Sequence, residues 1–267
     1  MFTHVTAARL LGWRLPQLPE QVPVFMAVRG DGFHSRRPGL LCSRLTHGAK
    51  PGNAQGLPVD SAPEILLRCA RELGTLDLLI MVDSALRLGH LKPRELEELL
   101  ATSRPGVRAL RKAYALADRR SESAGETLLR AFHQVLGIEV EPQKKLYNRA
   151  GQLVGRADLL IRGTPFVQEY DGAVHRSSGQ HVVDLRRERS WAGTKYQRNG
   201  YALDDLLNHA ATVMHELDRL LGRPHDRRCL ERWRALVEES LYSKTGRARV
   251  VNRWRRQWDP SVWTQTA

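Results

Sequence analysis

The sequence has few cysteines and no closely spaced pair of them. Its three cysteines, Cys42, Cys69 and Cys229, lie far apart and form no Cys-x-x-Cys motif. Cysteine-rich zinc sites and disulfide frameworks require closely spaced or numerous cysteines. The sequence therefore disfavours both kinds of site and favours a reducing compartment.

Long apolar runs are also missing. No segment reaches the roughly 20 consecutive apolar residues of a membrane-spanning helix. The first residues, MFTHVTAARLLGWRLP, lack the basic start and apolar core that are typical of a signal peptide. We therefore expect a soluble, cytoplasmic protein with no membrane partner.

Acidic residues are too few to balance the basic ones. The chain has 42 Lys and Arg against 29 Asp and Glu, which gives a net charge of +13 and a pI near 10.3. Hydrophobic residues make up 42% of the 267 positions, enough for one large or two modest folded domains. The excess of positive charge favours a polyanionic partner, DNA or RNA.

Residues 1–118 predict a mixed α/β module. Short apolar pieces bounded by Gly and Pro predict strands within VPVFMAV, GLLCSRL and GLPVD, after a short helix over Thr6–Gly12. The segment Ser61-Ala-Pro-Glu64 has the pattern of a capping box with proline in the first helical turn. Further helices are predicted over Leu76–Leu88, Pro93–Ala101 and Arg108–Ala117. The polar run DRRSES, 118–123, predicts a domain boundary.

Residues 121–222 predict a second domain built around a sheet. A helix begins at Ser123 and is ended by Gly137, two strands (QKKLYN and QLVGRADLLI) form a hairpin, and PFVQEYDG is a third strand. Two helices follow, a basic one over residues 182–196 and another over 202–221.

Residues 223–267 predict a basic helical tail. Four tryptophans are interleaved with its basic residues, and Trp233 and Trp254 are expected to pack in a core. The sequence as a whole predicts an α/β protein.

Four carboxylates lie at notable positions in the second domain: Glu126, Asp158, Glu169 and Asp171. Glu169 and Asp171 share one face of a strand because side chains alternate along it. Asp158 interrupts the apolar segment ADLLI, where a carboxylate is costly unless it is paired, hydrogen-bonded or bound to a metal. If the two strands are neighbours, Asp158 and Glu169 converge. Mg²⁺ (or Mn²⁺) would relieve their repulsion and activate a water for phosphodiester attack.

The order of these motifs resembles the PD-(D/E)XK restriction-endonuclease-like nucleases, in particular a very-short-patch-repair-endonuclease-like branch of actinobacterial proteins. The resemblance covers roughly residues 121–205 and lies in four segments: Ser123–Glu126, Val154-Gly-Arg-Ala-Asp158, Glu169-Tyr-Asp-Gly-Ala-Val-His175 and Asp184-Leu-Arg-Arg187. It implies a restriction-endonuclease-like core of helix, three-stranded meander, helix and strand, with a central mixed sheet flanked by helices. Residues 1–118 are similar to the C-terminal part of type IV abortive-infection antitoxins. This resemblance is consistent with a protein partner that binds through this module.

The resemblance implies a Mg²⁺-dependent nuclease that hydrolyses DNA phosphodiester bonds in repair or defence. Asp158, Glu169 and Asp171 would hold the metal, and Glu126 would assist them. His175 would move protons or position the nucleophile, and Arg187 would hold the scissile phosphate. The residues expected to contact nucleic acid are Lys144, Lys145, Arg186, Arg187, Arg189 and Lys195.

Asp171 departs from the family pattern, which usually has lysine at this position. An aspartate supplies no positive charge to a developing phosphorane, so another cation would have to do so. The candidates are His175, Lys195, Arg187 and Lys144. A catalytically inactive nucleic-acid-binding protein of a defence or toxin–antitoxin-like system is therefore an alternative function. A partner-binding component of a protein complex is a third.

Each candidate also has a purely structural interpretation. Asp158 and Glu169 fit strand-end carboxylates that are satisfied by backbone amides. Ser123-Ala-Gly-Glu126 is a good capping box, so Glu126 can serve the helix alone. Asp171 and Gly172 are a common turn pair. His175 fits a solvated loop histidine, and Asp184 with Arg187 fits a surface ion pair.

Overall fold

A computed structural model describes residues 1–29, 37–45, 51–172 and 194–258, and its helices and sheets confirm the α/β class. Two compact units are present: unit 1 is Met1–Arg119 with Ala235–Ala267, and unit 2 is Arg120–Arg234. No helix in the described ranges is both long and apolar enough to cross a membrane. Five candidate residues lie outside the described ranges and keep their roles as predictions: His175, Asp184, Arg186, Arg187 and Arg189.

Unit 1 combines short strands with helices, as the sequence predicts. Its elements are α1 (His4–Leu10), β1 (Val24–Arg29), β2 (Leu40–Leu45), β3 (Gly52–Ala54), β4 (Leu57–Val59), α2 (Ala62–Cys69), α3 (Thr75–Arg87), α4 (Pro93–Leu100), α5 (Val107–Tyr114) and, from the other end of the chain, α10 (Lys244–Trp258). β1 and β2 pair in parallel, and β3 and β4 form an antiparallel hairpin. Gln55 and Gly56 both have positive φ, 55° and 82°, as a two-residue type I′ turn requires.

The core of unit 1 surrounds α3, which is buried on nearly all sides from Thr75 to Ala85. α2 begins after Ser61 and has proline in its first turn, as predicted. The capping box predicted there is wrong, because the Ser61 side chain makes no cap hydrogen bond. The Glu64 carboxylate instead forms a bidentate ion pair with Arg104, at 2.5 and 2.7 Å, a charge-assisted geometry that is stronger than a neutral cap bond.

A buried carboxylate, Glu72, joins α10 to the rest of unit 1. Its Oε2 accepts a hydrogen bond of 2.5 Å from Trp254 Nε1 and lies 3.4 Å from His4 Nε2. Its Oε1 lies 3.4 Å from Arg253 Nε. Burial alone would raise the pKa of Glu72, but the hydrogen bonds and charges of these partners outweigh it and lower the pKa to about 2.

The segment that the sequence predicts as a separate tail, residues 223–267, is divided between the two compact units. α9 (Arg227–Glu238) contains the division between the units, and α10 belongs to unit 1. The physical reason is tryptophan burial, since Trp233 and Trp254 are each 0% exposed. The prediction that these two rings pack in a core is therefore confirmed.

Unit 2 is built on a mixed four-stranded sheet. Its elements are α6 (Ala124–Val135), β5 (Val140–Tyr147), β6 (Leu153–Ile161), β7 (Phe166–Tyr170), β8 (Gln197–Tyr201), α7 (Leu203–Leu207) and α8 (Ala210–Leu220), followed by the start of α9. The strand order is β5-β6-β7-β8, with antiparallel pairing up to β7 and β8 parallel to β7. The predicted first helix, hairpin and third strand are confirmed.

Two helix predictions in unit 2 need correction or remain open. The single helix predicted over 202–221 is wrong. α7 and α8 are separate because His209 leaves the helical conformation and the Asn208 side chain bonds back to Asp204 Oδ1 at 2.6 Å. Most of the basic helix predicted over 182–196 lies outside the described residues, and the described part, 194–196, is not helical.

A buried polar network lies between α6 and the sheet of unit 2. His133 Nδ1 lies 2.8 Å from the Leu129 carbonyl oxygen, and burial lowers the pKa of His133 to about 4, so the ring is neutral. Tyr201 Oη donates to Gln168 Oε1 at 2.9 Å. Because neighbours on a strand point to opposite faces, Glu169 points away from this network.

The first prediction concerns acid stability. Since the pKa of Glu72 falls from 4.5 to about 2 on folding, its charge stabilises unit 1 fully above pH 4.5, and this stabilisation is lost as the pH falls toward 2. Its upper limit is about 3 kcal/mol. We expect Glu72→Gln to lower the free energy of unfolding at pH 7 and to reduce this acid sensitivity. Urea unfolding of 5-fluorotryptophan-labelled protein, followed at the Trp254 resonance by ¹⁹F NMR, measures both. The exposed Glu20→Gln variant is the control, and equal acid sensitivity in all three proteins would contradict the prediction.

Candidate functional site

Two of the predicted carboxylates lie side by side on adjacent strands of unit 2. The register of β6 with β7 pairs Leu159 with Gln168, which places Asp158 opposite Glu169. Directly opposed residues of antiparallel strands project to the same face. The register therefore places Asp158 and Glu169 on one face of neighbouring strands, which is the condition stated for their convergence.

The opposed pair belongs to a row of directly opposed residues that crosses the whole sheet: Gln143, Asp158, Glu169 and Gly200. The register of β5 with β6 places Gln143 opposite Asp158, and Gly200 of β8 pairs with Glu169. The Asp158 carboxylate is held in the row by the backbone of β7, because Tyr170 N donates to its Oδ2 at 3.0 Å. Glu169 is 2% exposed, so it is a buried carboxylate at the end of a strand.

Glu126 joins the row from the first turn of α6. Its backbone N–H donates to Ser123 Oγ at 3.1 Å, and its Oε2 accepts from Glu122 N and Gln143 Nε2, both at 2.8 Å. Burial and the negative charge of Asp158 raise its pKa, although these hydrogen bonds oppose the rise. Glu126 thus takes part in helix capping and also faces the charge of Asp158.

The ring of Tyr170 lies very close to the backbone of Gly125, and this contact fixes the position of Glu126. A Cβ on Gly125 would overlap the ring of Tyr170. Only glycine at this position allows the ring at the end of β7 to lie against the first turn of α6. The contact brings the start of the helix to the end of the strand that carries Glu169.

Asp171 shares an arginine with Glu169. Arg198 of β8 places its Nη2 3.0 Å from Asp171 Oδ1 and its Nε 3.4 Å from Glu169 Oε2. Asp171 N also donates to Tyr201 O at 2.8 Å, so the backbone at Asp171 is still paired with β8 instead of turning. Gly200 leaves space for the Asp171 carboxylate, which a Cβ at that position would overlap.

The sequence alone does not identify Arg198 and Gln143 as members of this site. Arg198 reaches the carboxylates only because β8 pairs in parallel with β7, and the segment QRNGY carries no motif that indicates this pairing. Gln143 has a positive φ of 54° within β5, a conformation that is unusual for a residue with a side chain and is found often at functional sites. That signal exists only in the structure.

The predicted nucleic-acid contacts on the hairpin lie beside the row. Lys145 of β5 is paired with Arg156 of β6, and both are exposed. They stand two residues along their strands from Gln143 and Asp158, and therefore on the same face. Lys144 is bound to Glu141 at 2.6 Å, and Lys195 lies over the ring of its neighbour Tyr196.

The donor set suits a hard divalent cation. Asp158 and Glu169 offer carboxylate oxygens, and Mg²⁺ in proteins is commonly held by one or two carboxylates together with waters. Over the described ranges, no three His, Cys, Asp or Glu side chains are grouped as metal ligands. Asp171, the third predicted ligand, is paired with Arg198. The residues therefore fit a two-carboxylate Mg²⁺ site.

Comparisons with known proteins give no relative. No family model, no curated protein and no solved structure matches the chain.

The second prediction tests whether the carboxylates of Asp158 and Glu126 are neighbours. Because the charge of Asp158 helps to raise the pKa of Glu126, we expect Asp158→Asn to lower it. A ¹³C NMR titration of the Glu126 carboxyl group in each protein measures the change. Asp171→Asn is the matched control and should leave the pKa of Glu126 where it is. If Asp158→Asn has no effect or raises the pKa, the two carboxylates are not neighbours.

Proposed function

We propose that unit 2 is a Mg²⁺-dependent nuclease-like module that hydrolyses DNA phosphodiester bonds in repair or defence. The observation that carries the proposal is the opposed pair of Asp158 and Glu169, with Glu126 close enough for the charge of Asp158 to raise its pKa. Carboxylates concentrated at one place on a sheet repel one another, and a cation relieves that repulsion. Perturbed carboxylates of this kind cluster at functional sites.

Asp158 and Glu169 would hold the divalent ion, with Mn²⁺ as a substitute. When bound, such an ion lowers the pKa of a coordinated water and offsets the charge of the phosphate under attack. Glu126, with its raised pKa, is a stronger base than an ordinary glutamate and suits the removal of a proton from the attacking water.

Arg198 supplies the positive charge that Asp171 cannot. Its guanidinium lies against Glu169 and Asp171 and is 27% exposed, so it also remains accessible from outside. A fixed guanidinium stabilises the charge that develops on a phosphate, and its planar fork suits phosphate oxygens. Asp171 would then position this cation instead of binding the metal.

The surface beside the carboxylates suits a DNA backbone. Lys145 and Arg156 are like charges directly opposed across two strands, an arrangement that destabilises a sheet in isolation. Arg156 is partly compensated by a bidentate ion pair with Glu122, at 3.1 and 2.9 Å. A phosphate backbone over this pair would offset the remaining repulsion and release counterions.

A second candidate function is nucleic-acid binding without cleavage. The pairing of Arg198 with both Glu169 and Asp171 favours it, because a bound guanidinium already neutralises carboxylates that a metal would otherwise use. In that case Arg198 and the hairpin cations would grip the phosphate backbone, and the carboxylates would only hold the arginine in place.

The third prediction is cleavage of DNA. We expect the purified chain to cut supercoiled or linear duplex DNA with Mg²⁺ or Mn²⁺ and not with EDTA. Asp158→Asn and Glu169→Gln should each lower the rate by about 100-fold or more, since each removes charge stabilisation from the reacting centre. Gel assays on supercoiled, linear and single-stranded DNA measure the rate, and mobility shifts measure binding.

The exposed Glu139→Gln variant is the matched control and should cut at the unchanged rate, because Glu139 is paired with Arg162 at the surface. If the protein shifts the mobility of DNA but never cuts it, and Asp158→Asn binds DNA as the parent does, the nuclease function is ruled out. Nucleic-acid binding without cleavage is then the supported function. If no nucleic acid binds even at low salt, both fail and a role in a protein complex remains.

The fourth prediction concerns the hairpin surface. Replacing Lys145 by Ala should weaken DNA binding about equally for all sequences and reduce the slope of log K against log salt concentration by about 1. Arg162→Ala is the control in the same unit, since Arg162 is exposed and paired with Glu139. Fluorescence anisotropy over a salt series gives both slopes. Equal slopes for the parent and the Lys145 variant would exclude this surface as a phosphate contact.

A further inference from the structure

Unit 1 contains an open cavity of about 770 Å³, within the roughly 300–1,000 Å³ of small-molecule sites. Its walls come from the end of α2 and the start of α3, from α5, and from α10. It lies wholly within unit 1 and includes none of the residues assigned above to nuclease chemistry.

The charge of the lining is predominantly positive. Five of its side chains are cationic: Arg71, Arg108, Lys112, Arg249 and Arg253. Its two carboxylates are already engaged by the protein, since Glu72 accepts from Trp254 and Glu239 Oε1 accepts from Thr75 Oγ1 at 2.7 Å. Arg253 also lies 3.4 Å from Glu72 Oε1, and Arg249 donates to the carbonyl oxygens of Glu72 and Glu239. Five cations against two carboxylates still leave an excess of positive charge in the lining.

The cations are arranged as two pairs on different helices. Arg108 and Lys112 are one turn apart on α5, and Arg249 and Arg253 are one turn apart on α10. Like charges at this spacing oppose helix formation. Within the described part of the chain, the side chains of Arg108 and Lys112 have no hydrogen-bond or ion-pair partner.

Arg71 is crowded by other cations, whose effect the charges of Glu64 and Glu72 partly offset. Its Nε donates to the Pro105 carbonyl at 3.2 Å. Burial and then the charges of Arg68 and Arg104 lower its pKa. A bound anion would relieve this crowding.

Backbone geometry supports an anion at the same place. Gly106, at φ 97°, is the N-cap of α5, and a Cβ there would overlap the Leu67 carbonyl oxygen. Only glycine allows the start of α5 to approach α2 this closely. Gly106, Arg108 and Ala109, at the start of α5, line the cavity wall, and the positive end of a helix dipole favours an anion nearby. Ala70, Leu73 and Pro105 add apolar surface on which a base or sugar would pack.

We propose that this cavity is a binding site for the phosphate groups of a free nucleotide, separate from the nuclease-like centre. The cation pairs of α5 and α10 would hold the phosphates, and the apolar patch would hold the nucleoside. The site is independent of whether unit 2 cuts DNA.

The fifth prediction is tested by calorimetric titration of the full chain with ATP at low ionic strength, without divalent ions. We expect Arg108→Glu with Lys112→Glu to weaken ATP binding at least tenfold. Lys92→Glu with Arg94→Glu, at two exposed positions at the start of α4 outside the cavity, is the control with the same charge change and should retain the parent affinity. Asp158→Asn should also retain it, which separates this test from the nuclease test.

Amide hydrogen exchange of the unmodified chain is the second readout, and we expect ATP to protect the amides of residues 106–109. Absence of ATP binding at millimolar concentration would overturn the proposal, as would equal weakening in the two double variants, which would indicate unspecific charge attraction. If the cavity variant loses affinity only for a single-stranded thymidine oligonucleotide and not for ATP, the site serves nucleic acid and the nucleotide proposal is wrong.

Discussion

Strand register in the mixed sheet of unit 2 is the constraint on which the candidate site depends. β6 and β7 are paired so that Asp158 stands opposite Glu169, and the parallel pairing of β8 with β7 brings Arg198 to the same place. A slip of one residue between β6 and β7 would turn one carboxylate to the opposite face. The buried residues beside the row oppose such a slip, because Leu160 and Val167 are directly opposed and both lie in the core.

Both units use a buried glutamate that is balanced by an arginine from a distant part of the sequence. In unit 1, Glu72 meets Arg253 and Trp254 of α10. In unit 2, Glu169 meets Arg198 of β8. A buried carboxylate without partners would strongly destabilise the fold. The two arrangements differ in their further partners, since Glu72 also accepts a hydrogen bond from Trp254, whereas Arg198 is shared between Glu169 and Asp171.

Much of the fold could be predicted because local patterns are strong. Breakers around short apolar pieces predicted the strands of unit 1, and the capping pattern at Ser123 predicted the start of α6 correctly. The same pattern at Ser61 was misleading, because a distant arginine takes the Glu64 carboxylate. Spacing in the sequence cannot distinguish these cases, since the competing partner is 40 residues away along the chain. The break between α7 and α8 was also missed, although the bond of Asn208 to Asp204 that accompanies it joins residues only four apart.

The sequence by itself determined the α/β class and the positive charge, and it named Glu126, Asp158, Glu169 and Asp171 as candidates, since these follow from composition, periodicity and local spacing. Only the tertiary structure decided which groups meet: Asp171 with Arg198, Gln143 with Glu126, and the cations of α5 with those of α10 around one cavity. The physical reason is that such meetings depend on strand register and on close backbone approaches such as those at Gly125 and Gly106. These are set by packing between parts of the chain that are remote in sequence.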